Sequence, residues 1–311
     1  MIPFEYRTPK NVKEVHAALK EFGTDAKLIA GGTALVIMMK QRLVRPSCLV
    51  SLQSVRGYNG IEASDGGIRI GGLATHRAVE TSPLIRRRLP MLAETYHHVA
   101  TLRIRNVATV GGGLAHADPN QDPPPSLIAL GATVKATSAN GSRVIPLDEF
   151  FTDYYETVLN PDEIITELFV PKLPANSGGA YLKFLPRTAD DYATVSAAAM
   201  LSLDKNRKTI SDVRIALGSV GTTPIRARDA ETLLRGQPVK PEAFREAAEK
   251  AKEAVDPISD FRGSAGYKKE MAGVFVRRAL EKALAEIRQQ ARAKPAPKPT
   301  RKKTTKKRRK R

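Results

Sequence analysis

Residues 29–43 read IAGGTALVIMMKQRL. An apolar pair runs into Gly31, Gly32 and Thr33, and the apolar run after them reads as a helix over 34–43, stopped by Arg45 and Pro46. Residues 26–30 (AKLIA) before the turn and 48–52 (CLVSL) after the helix read as short strands. The unit is therefore strand, tight turn, helix, strand. A glycine turn entering a helix leaves main-chain N–H groups unpaired at the positive end of the helix dipole, which suits a phosphate without any cation. Glycine lets the backbone come close to such a ligand.

A second cluster, residues 109–125 (TVGGGLAHADPNQDPPP), repeats the pattern, with Thr109 beside its glycines as Thr33 is beside the first pair. Neither cluster is a phosphate loop of the Gly-Lys-Ser/Thr kind, and neither has the G-x-G-x-x-G spacing. Taken singly, each is a weak signal, since an isolated Gly-Gly turn is more often a structural cap than a ligand site. Taken together, in one half of the chain and each leading into helix-like sequence, they point to one dinucleotide held by both turns. Asp122 stands where a helix cap would, ahead of Pro123, and either caps that helix or accepts hydrogen bonds from sugar or ribityl hydroxyls.

Outward from the first turn, Thr8 and Pro9 read as the start of a helix whose apolar face is Val12, Val15, Ala18, Leu19 and Phe22, with Gly23 as its stop. Residues 60–75 (GIEASDGGIRIGGLAT) read as two short strands joined by a hairpin turn at Asp65-Gly66-Gly67, Thr75 as a cap for a helix beginning at His76, and 89–100 as an amphipathic helix. A helix over 123–130, a hairpin turning at Asn140-Gly141 and a strand over 162–171 complete the first region. Residues 174–179 (PANSGG) read as a linker. Beyond them come strands over 179–186, 193–204 and 210–220, then helices around 226–235, 241–255 and 264–290, a small sheet with helices on one face.

The 311 residues suffice for two domains, and a hydrophobic content of 41% supports packed cores. The single cysteine, Cys48, excludes an internal disulfide and a cysteine-ligated cluster built from this chain alone. No apolar stretch approaches the roughly 18 residues that a bilayer requires, and the first residues lack the pattern of a secretory signal. A soluble cytoplasmic protein is expected. Of the net charge of +19, residues 294–311 (KPAPKPTRKKTTKKRRKR) hold 11 basic groups and no acidic one, leaving +8 on the rest. A segment so charged and so poor in apolar residues is expected to be a disordered basic tail, over 291–311, with weak contacts to nucleic acid or another anionic surface at most. The histidines are His16, His76, His97, His98 and His116. Adjacent residues of a helix project differently, so the His97-His98 pair reads as packing and not as metal ligation, and His116 reads as a loop residue.

LIAGGTALV…MMKQRL together with IRNVATVGGGLAHADPNQDPPPSLIALGA, and a later DDYA, resemble the flavin-binding medium subunits of the molybdenum hydroxylases, the family of carbon monoxide dehydrogenase, xanthine dehydrogenase and related aldehyde oxidoreductases. The likeness runs from about residue 2 to about residue 285. It implies an α+β chain: a two-part FAD-binding domain of the vanillyl-alcohol-oxidase-like type over 1–173 (parts about 1–56 and 57–173), then a C-terminal α+β domain over 178–288. It also implies FAD against Ala30, Gly31, Gly32, Thr33, Ala34 and Leu35 and against Thr109, Val110, Gly111, Gly112 and Gly113. Asp122 would contact the cofactor, Ile165 would line its pocket and Lys183 would reach the flavin end. Tyr192 would cover one flavin face. The bland alternatives are a solvated strand lysine for Lys183 and a half-buried strand-edge tyrosine for Tyr192. Family members commonly carry Asn or Asp where Gly113 stands and often a polar residue at Ala34, so a hydrogen bond or two is missing here, each worth about 1 kcal/mol. The chemistry would belong to FAD, with molybdenum pterin and two [2Fe–2S] clusters on a large and a small partner subunit, a heterohexamer, and an external electron acceptor. Two other readings stand beside this one: a non-enzymatic nucleic-acid or surface-binding protein, and a stand-alone flavin oxidase.

Overall fold

The computed structural model describes residues 2–185, 188 and 191–293. The first elements are β1 (Glu5–Arg7), α1 (Val12–Phe22), β2 (Ala26–Ile29), α2 (Leu35–Lys40) and β3 (Cys48–Ser51). They form a parallel sheet in the order β1-β3-β2, with α2 as the crossover between β2 and β3. The start of α1 is not at Thr8: Asn11 is the cap, accepting from the Glu14 N–H at 3.0 Å while Glu14 reaches back to the Lys10 N–H. This reciprocal pair satisfies two end donors, which a cap at Thr8 would not. Gly23 ends α1 with φ +54. The helix after the first turn is shorter than expected. It stops at Lys40 because Arg42 takes a left-handed φ of +62, and Leu43 lies exposed outside it.

There follow β4 (Ile61–Ser64), β5 (Gly67–Gly71), α3 (His76–Thr81), α4 (Pro83–Arg88), α5 (Pro90–His97), α6 (Leu102–Val107), α7 (Val110–His116), α8 (Pro123–Ala129), β6 (Thr133–Ser138), β7 (Gly141–Pro146), β8 (Phe151–Asp153), β9 (Glu156–Thr157) and β10 (Ile164–Pro171). Five of these strands make an antiparallel sheet, β4-β5-β10-β6-β7. Strand β10 alternates buried and half-buried residues along its whole length, the mark of a sheet with one core face. Thr75 caps α3 as its position requires, through the Ala78 N–H.

The last part is β11 (Ser177–Phe184), β12 (Val195–Leu203), β13 (Ile210–Gly218), β14 (Ile225–Arg226), α9 (Arg228–Leu234), α10 (Pro241–Ala251) and α11 (Ala265–Ala293), with the sheet ordered β11-β12-β13-β14. All nine residues of β12 are buried. Successive side chains point to opposite faces, so both faces must be covered. Ala197, Ala199 and Leu201 face the core with α9, α10 and α11, whereas Ala198 and Met200 join Tyr181 in the core of the preceding region, against α5 and α8. Helices therefore lie on both faces of this sheet and not on one, because the first region supplies the second cover. Residues 177–179 are not linker either. A Cβ on Gly178 would come within 2.5 Å of the Ala283 carbonyl oxygen, so the glycine is there to bring β11 against α11. Helix α11 continues to Ala293, into the first residues assigned to the tail; residues 294–311 lie outside the described residues.

Candidate functional site

The two glycine turns abut. A Cβ on Gly31 would overlap the Val107 carbonyl oxygen and lie 2.9 Å from the Ala108 Cα, and a Cβ on Gly112 would sit 3.9 Å from that of Ala30. The backbone just after β2 therefore runs along the backbone just before Thr109, with no room for a side chain between them. In the first turn Gly32 has φ +69. The main-chain N–H groups of Gly31, Gly32, Thr33, Ala34 and Leu35 donate to no other described residue. That row of unpaired donors is what an anionic group would fill.

The second turn differs from expectation. The N–H groups of Val110, Gly111, Gly112 and Gly113 are already bonded, to the carbonyls of Ala74 (2.9 Å) and Gly72 (2.7 Å), to Thr109 Oγ1 (3.1 Å) and to the Thr109 carbonyl (2.9 Å). It is no second amide cradle. Its glycines serve packing: a Cβ on Gly111 would meet the Gly72 carbonyl oxygen at 2.8 Å, and exposed Gly112 leaves bare backbone beside Ala30. Ile165 sits behind this turn on β10, its carbonyl oxygen 3.3 Å from the place of a Gly111 Cβ. His116 closes α7 as its last residue and is not in a loop.

Asp122 stands at the N-cap position of α8, but its side chain makes no capping bond. Its carboxylate is 5% exposed and accepts from Tyr181 Oη at 2.5 Å and from Lys183 Nζ at 2.9 Å. Lys183 is no solvated lysine: its side chain is 2% exposed and also donates to the His98 carbonyl at 3.1 Å. Burial pushes the Asp122 carboxyl above its ordinary pKa, against the pull of Lys183 and the Tyr181 hydroxyl. Tyr192 is half-exposed and outside any strand; its hydroxyl donates to Asp118 Oδ2 at 2.9 Å, and the Arg262 guanidinium lies 5.7 Å from its ring centre.

Several residues here carry no sequence signal of their own. Tyr181 is one. Another is Arg105, four residues ahead of Thr109, whose Nε donates to buried Glu80 at 2.9 Å and whose Nη1 donates to the carbonyls of Val99 and Ala100. Glu80 also takes Arg77 and His97. Burial pushes its carboxyl up, but these donors more than offset that and hold it below its usual pKa. The hub pins α3, α5 and α6 together directly ahead of the second turn.

His76 packs against the same turn. Its Nε2 lies 3.2 Å from the Thr109 carbonyl, which only accepts, so Nε2 carries the proton and the buried Nδ1 is left with a lone pair and no partner. Burial holds its pKa down at about 4. An unfolded histidine titrates near 6.5. The stabilisation from the neutral ring is therefore complete above about pH 6.5 and is lost as pH falls through about 4, amounting to about 3 kcal/mol. Urea unfolding of the chain and of His76→Phe at pH 7 and pH 4.5 checks this: the variant's stability is expected to fall less on acidification.

Two family descriptions match: "FAD binding domain in molybdopterin dehydrogenase" over residues 2–173 and "CO dehydrogenase flavoprotein C-terminal domain" over residues 180–283. The carbon monoxide dehydrogenase medium chain of Hydrogenophaga pseudoflava is 38% identical over 287 residues, 92% of this chain and 99% of that one. A subunit of the 6-hydroxypseudooxynicotine dehydrogenase complex of Paenarthrobacter nicotinovorans is 39% identical over 285 residues, 92% of this chain and 96% of the relative. In solved structure, the corresponding chain of the Hydrogenophaga pseudoflava carbon monoxide dehydrogenase superimposes with a TM-score of 0.88 at 40% identity, covering 92% of this chain and 99% of that one.

Proposed function

The chain belongs to the FAD-binding medium subunits of the molybdenum hydroxylases, and from that membership we propose how its own residues serve FAD and electron transfer. It is an oxidoreductase subunit. Bound FAD supplies the redox chemistry, taking electrons singly and releasing them in pairs. The unpaired amides of Gly31, Gly32, Thr33, Ala34 and Leu35, with Ala30 behind them, hold the diphosphate. Thr109, Val110, Gly111, Gly112 and Gly113 allow the cofactor close approach to bare backbone, Ile165 backs that wall, and Tyr192 covers the flavin. Asp122 and Lys183 form the buried polar edge of the site, each bonded to the other.

The observation that supports this reading most is geometric: unpaired donors of one turn lie against the side-chain-free wall of the other. The electrons come from iron–sulfur clusters on a small subunit, which receive them from molybdenum on a large one, and leave to an external acceptor; the assembly is a heterohexamer in the cytoplasm. Among the described residues no helix is long and apolar enough to cross a membrane. The purified chain is expected to take up FAD, seen as quenching of flavin fluorescence, and to copurify with a molybdenum-containing large chain and a cysteine-rich small one. A chain that binds no FAD would sink the reading. The relatives are subunits of oxidoreductase complexes, which favours this function over a non-enzymatic binding protein or a stand-alone oxidase.

The basic tail gives weak, charge-driven attachment to nucleic acid or another anionic surface. Ending the chain at Ala293 is expected to abolish retention on duplex DNA at low salt and to leave FAD affinity unchanged. In the full chain, log K should fall linearly with log salt, at about 0.9 for each phosphate neutralised. Equal retention of the two forms would refute a role for the tail.

A further inference from the structure

The second glycine turn has spent its own donors, yet one polar side chain leans over it. Gln121 Nε2 donates to the Gly113 carbonyl at 2.9 Å, and Gln121 Oε1 lies 3.3 Å from where a Gly113 Cβ would be. The side chain thus fills the place above Gly113 that a larger residue would occupy. Its backbone is set by the turn that begins at Asp118, through Gln121 N–H to the Asp118 carbonyl at 3.2 Å, and Asp118 is itself fixed by Asn120 and Tyr192. A primary amide has two N–H donors and an acceptor oxygen. The Gly113 carbonyl takes one N–H, and among the described residues nothing else bonds to the Gln121 side chain.

The other donor-bearing side chains beside this turn, His76, Thr109 and Lys183, are buried. His76 Nε2–H goes to the Thr109 carbonyl, and Lys183 goes to Asp122 and the His98 carbonyl. Gln121 is therefore a half-buried side chain at the second turn that keeps an uncommitted N–H, its other N–H holding it in place. We propose that Gln121 is a cofactor-binding residue, giving its second N–H to a diphosphate oxygen of the dinucleotide opposite the amides of Gly31, Gly32, Thr33, Ala34 and Leu35. The proposal rests on the FAD reading above.

The test uses the full chain freed of flavin and three probes: FAD, ADP and riboflavin, the last lacking phosphate. Gln121→Ala is expected to weaken FAD and ADP by roughly tenfold, the loss of one hydrogen bond to a charged acceptor, and to leave riboflavin unchanged. Gln121→Glu places a carboxylate against the diphosphate and should weaken FAD and ADP further, by an amount that shrinks with added salt. Equal weakening of all three probes would mean that Gln121 only holds Gly113 in place, and it overturns the proposal, as does wild-type affinity for FAD and ADP. Should urea unfolding show that the alanine variant is not folded, Gln121→Met, which keeps the length without the amide, makes the same comparison. An unaltered chain that binds none of the probes overturns the FAD reading itself, an outcome distinct from a variant that matches it.

Discussion

Lys183→Met is expected to lower the unfolding free energy by roughly 3–5 kcal/mol, the cost of leaving one partner of a buried ion pair without the other. Asp122 is 5% exposed and has two donors, Lys183 Nζ and the Tyr181 hydroxyl. Removing the ammonium leaves a carboxylate whose desolvation only one neutral hydroxyl offsets. The His98 carbonyl loses a donor as well. The second variant, Asp122→Asn with Lys183→Met, should recover most of the loss, since an amide keeps the Tyr181 bond and has no charge to bury. Urea midpoints of the four proteins of this cycle give the coupling. If Lys183→Met alone unfolds within 1 kcal/mol of the unaltered chain, a bound on the order of an ordinary surface change, the pair is not the buried unit described here. Because β11 brings Lys183 and Tyr181 to a loop of the first region, the same variant should also weaken FAD, through the position of residues 117–122.

Gly31→Val is the other large expected effect. A Cβ at residue 31 overlaps the Val107 carbonyl oxygen and stands 2.9 Å from the Ala108 Cα, both of them backbone, so neither can swing aside as a flexible side chain would. The two turns must part. Overpacking of this kind costs about 1–3 kcal/mol, or roughly 5- to 150-fold in an equilibrium. It falls on FAD binding because the wall and the amide row separate. Gly66→Ala serves as the comparison: its nearest neighbour would be the Phe169 ring at 3.5 Å, an ordinary contact, and FAD affinity should hold. Fluorescence titration of FAD into both variants decides the matter. Equal affinity of Gly31→Val and the unaltered chain would show that the contact of the turns is not what positions the cofactor.

Much of this could be read from the chain. The strand–turn–helix–strand unit around Gly31, the hairpin turning after Asp65, the Thr75 cap and the apolar run of β12 each follow from local preference, since short-range sterics and hydrogen bonds decide them. Most of the errors fall where a distant element intervened; the cap of α1 is a local one. Asn11 displaced Thr8 as a cap because Glu14 completes a reciprocal pair with it. The glycines at 178 and 179 read as linker because nothing local shows that α11 will lie against them. The second turn read as an amide cradle because two of the four acceptors of its N–H groups, the carbonyls of Gly72 and Ala74, lie more than thirty residues earlier; the other two are oxygens of Thr109.

Sequence alone determined that two side-chain-poor turns would sit in one half of this protein, each leading into a helix, and that the last residues would be strongly basic. Glycine content and hydrophobic period are properties of neighbouring residues, so no folded partner is needed to see them. Only the tertiary structure decided which turn keeps its donors, that Asp122 and Lys183 neutralise each other instead of facing solvent, and that Gln121 leans over Gly113. Those outcomes depend on which groups compete for the same N–H or carboxylate once water is excluded, and that competition is between residues the chain keeps far apart until it folds.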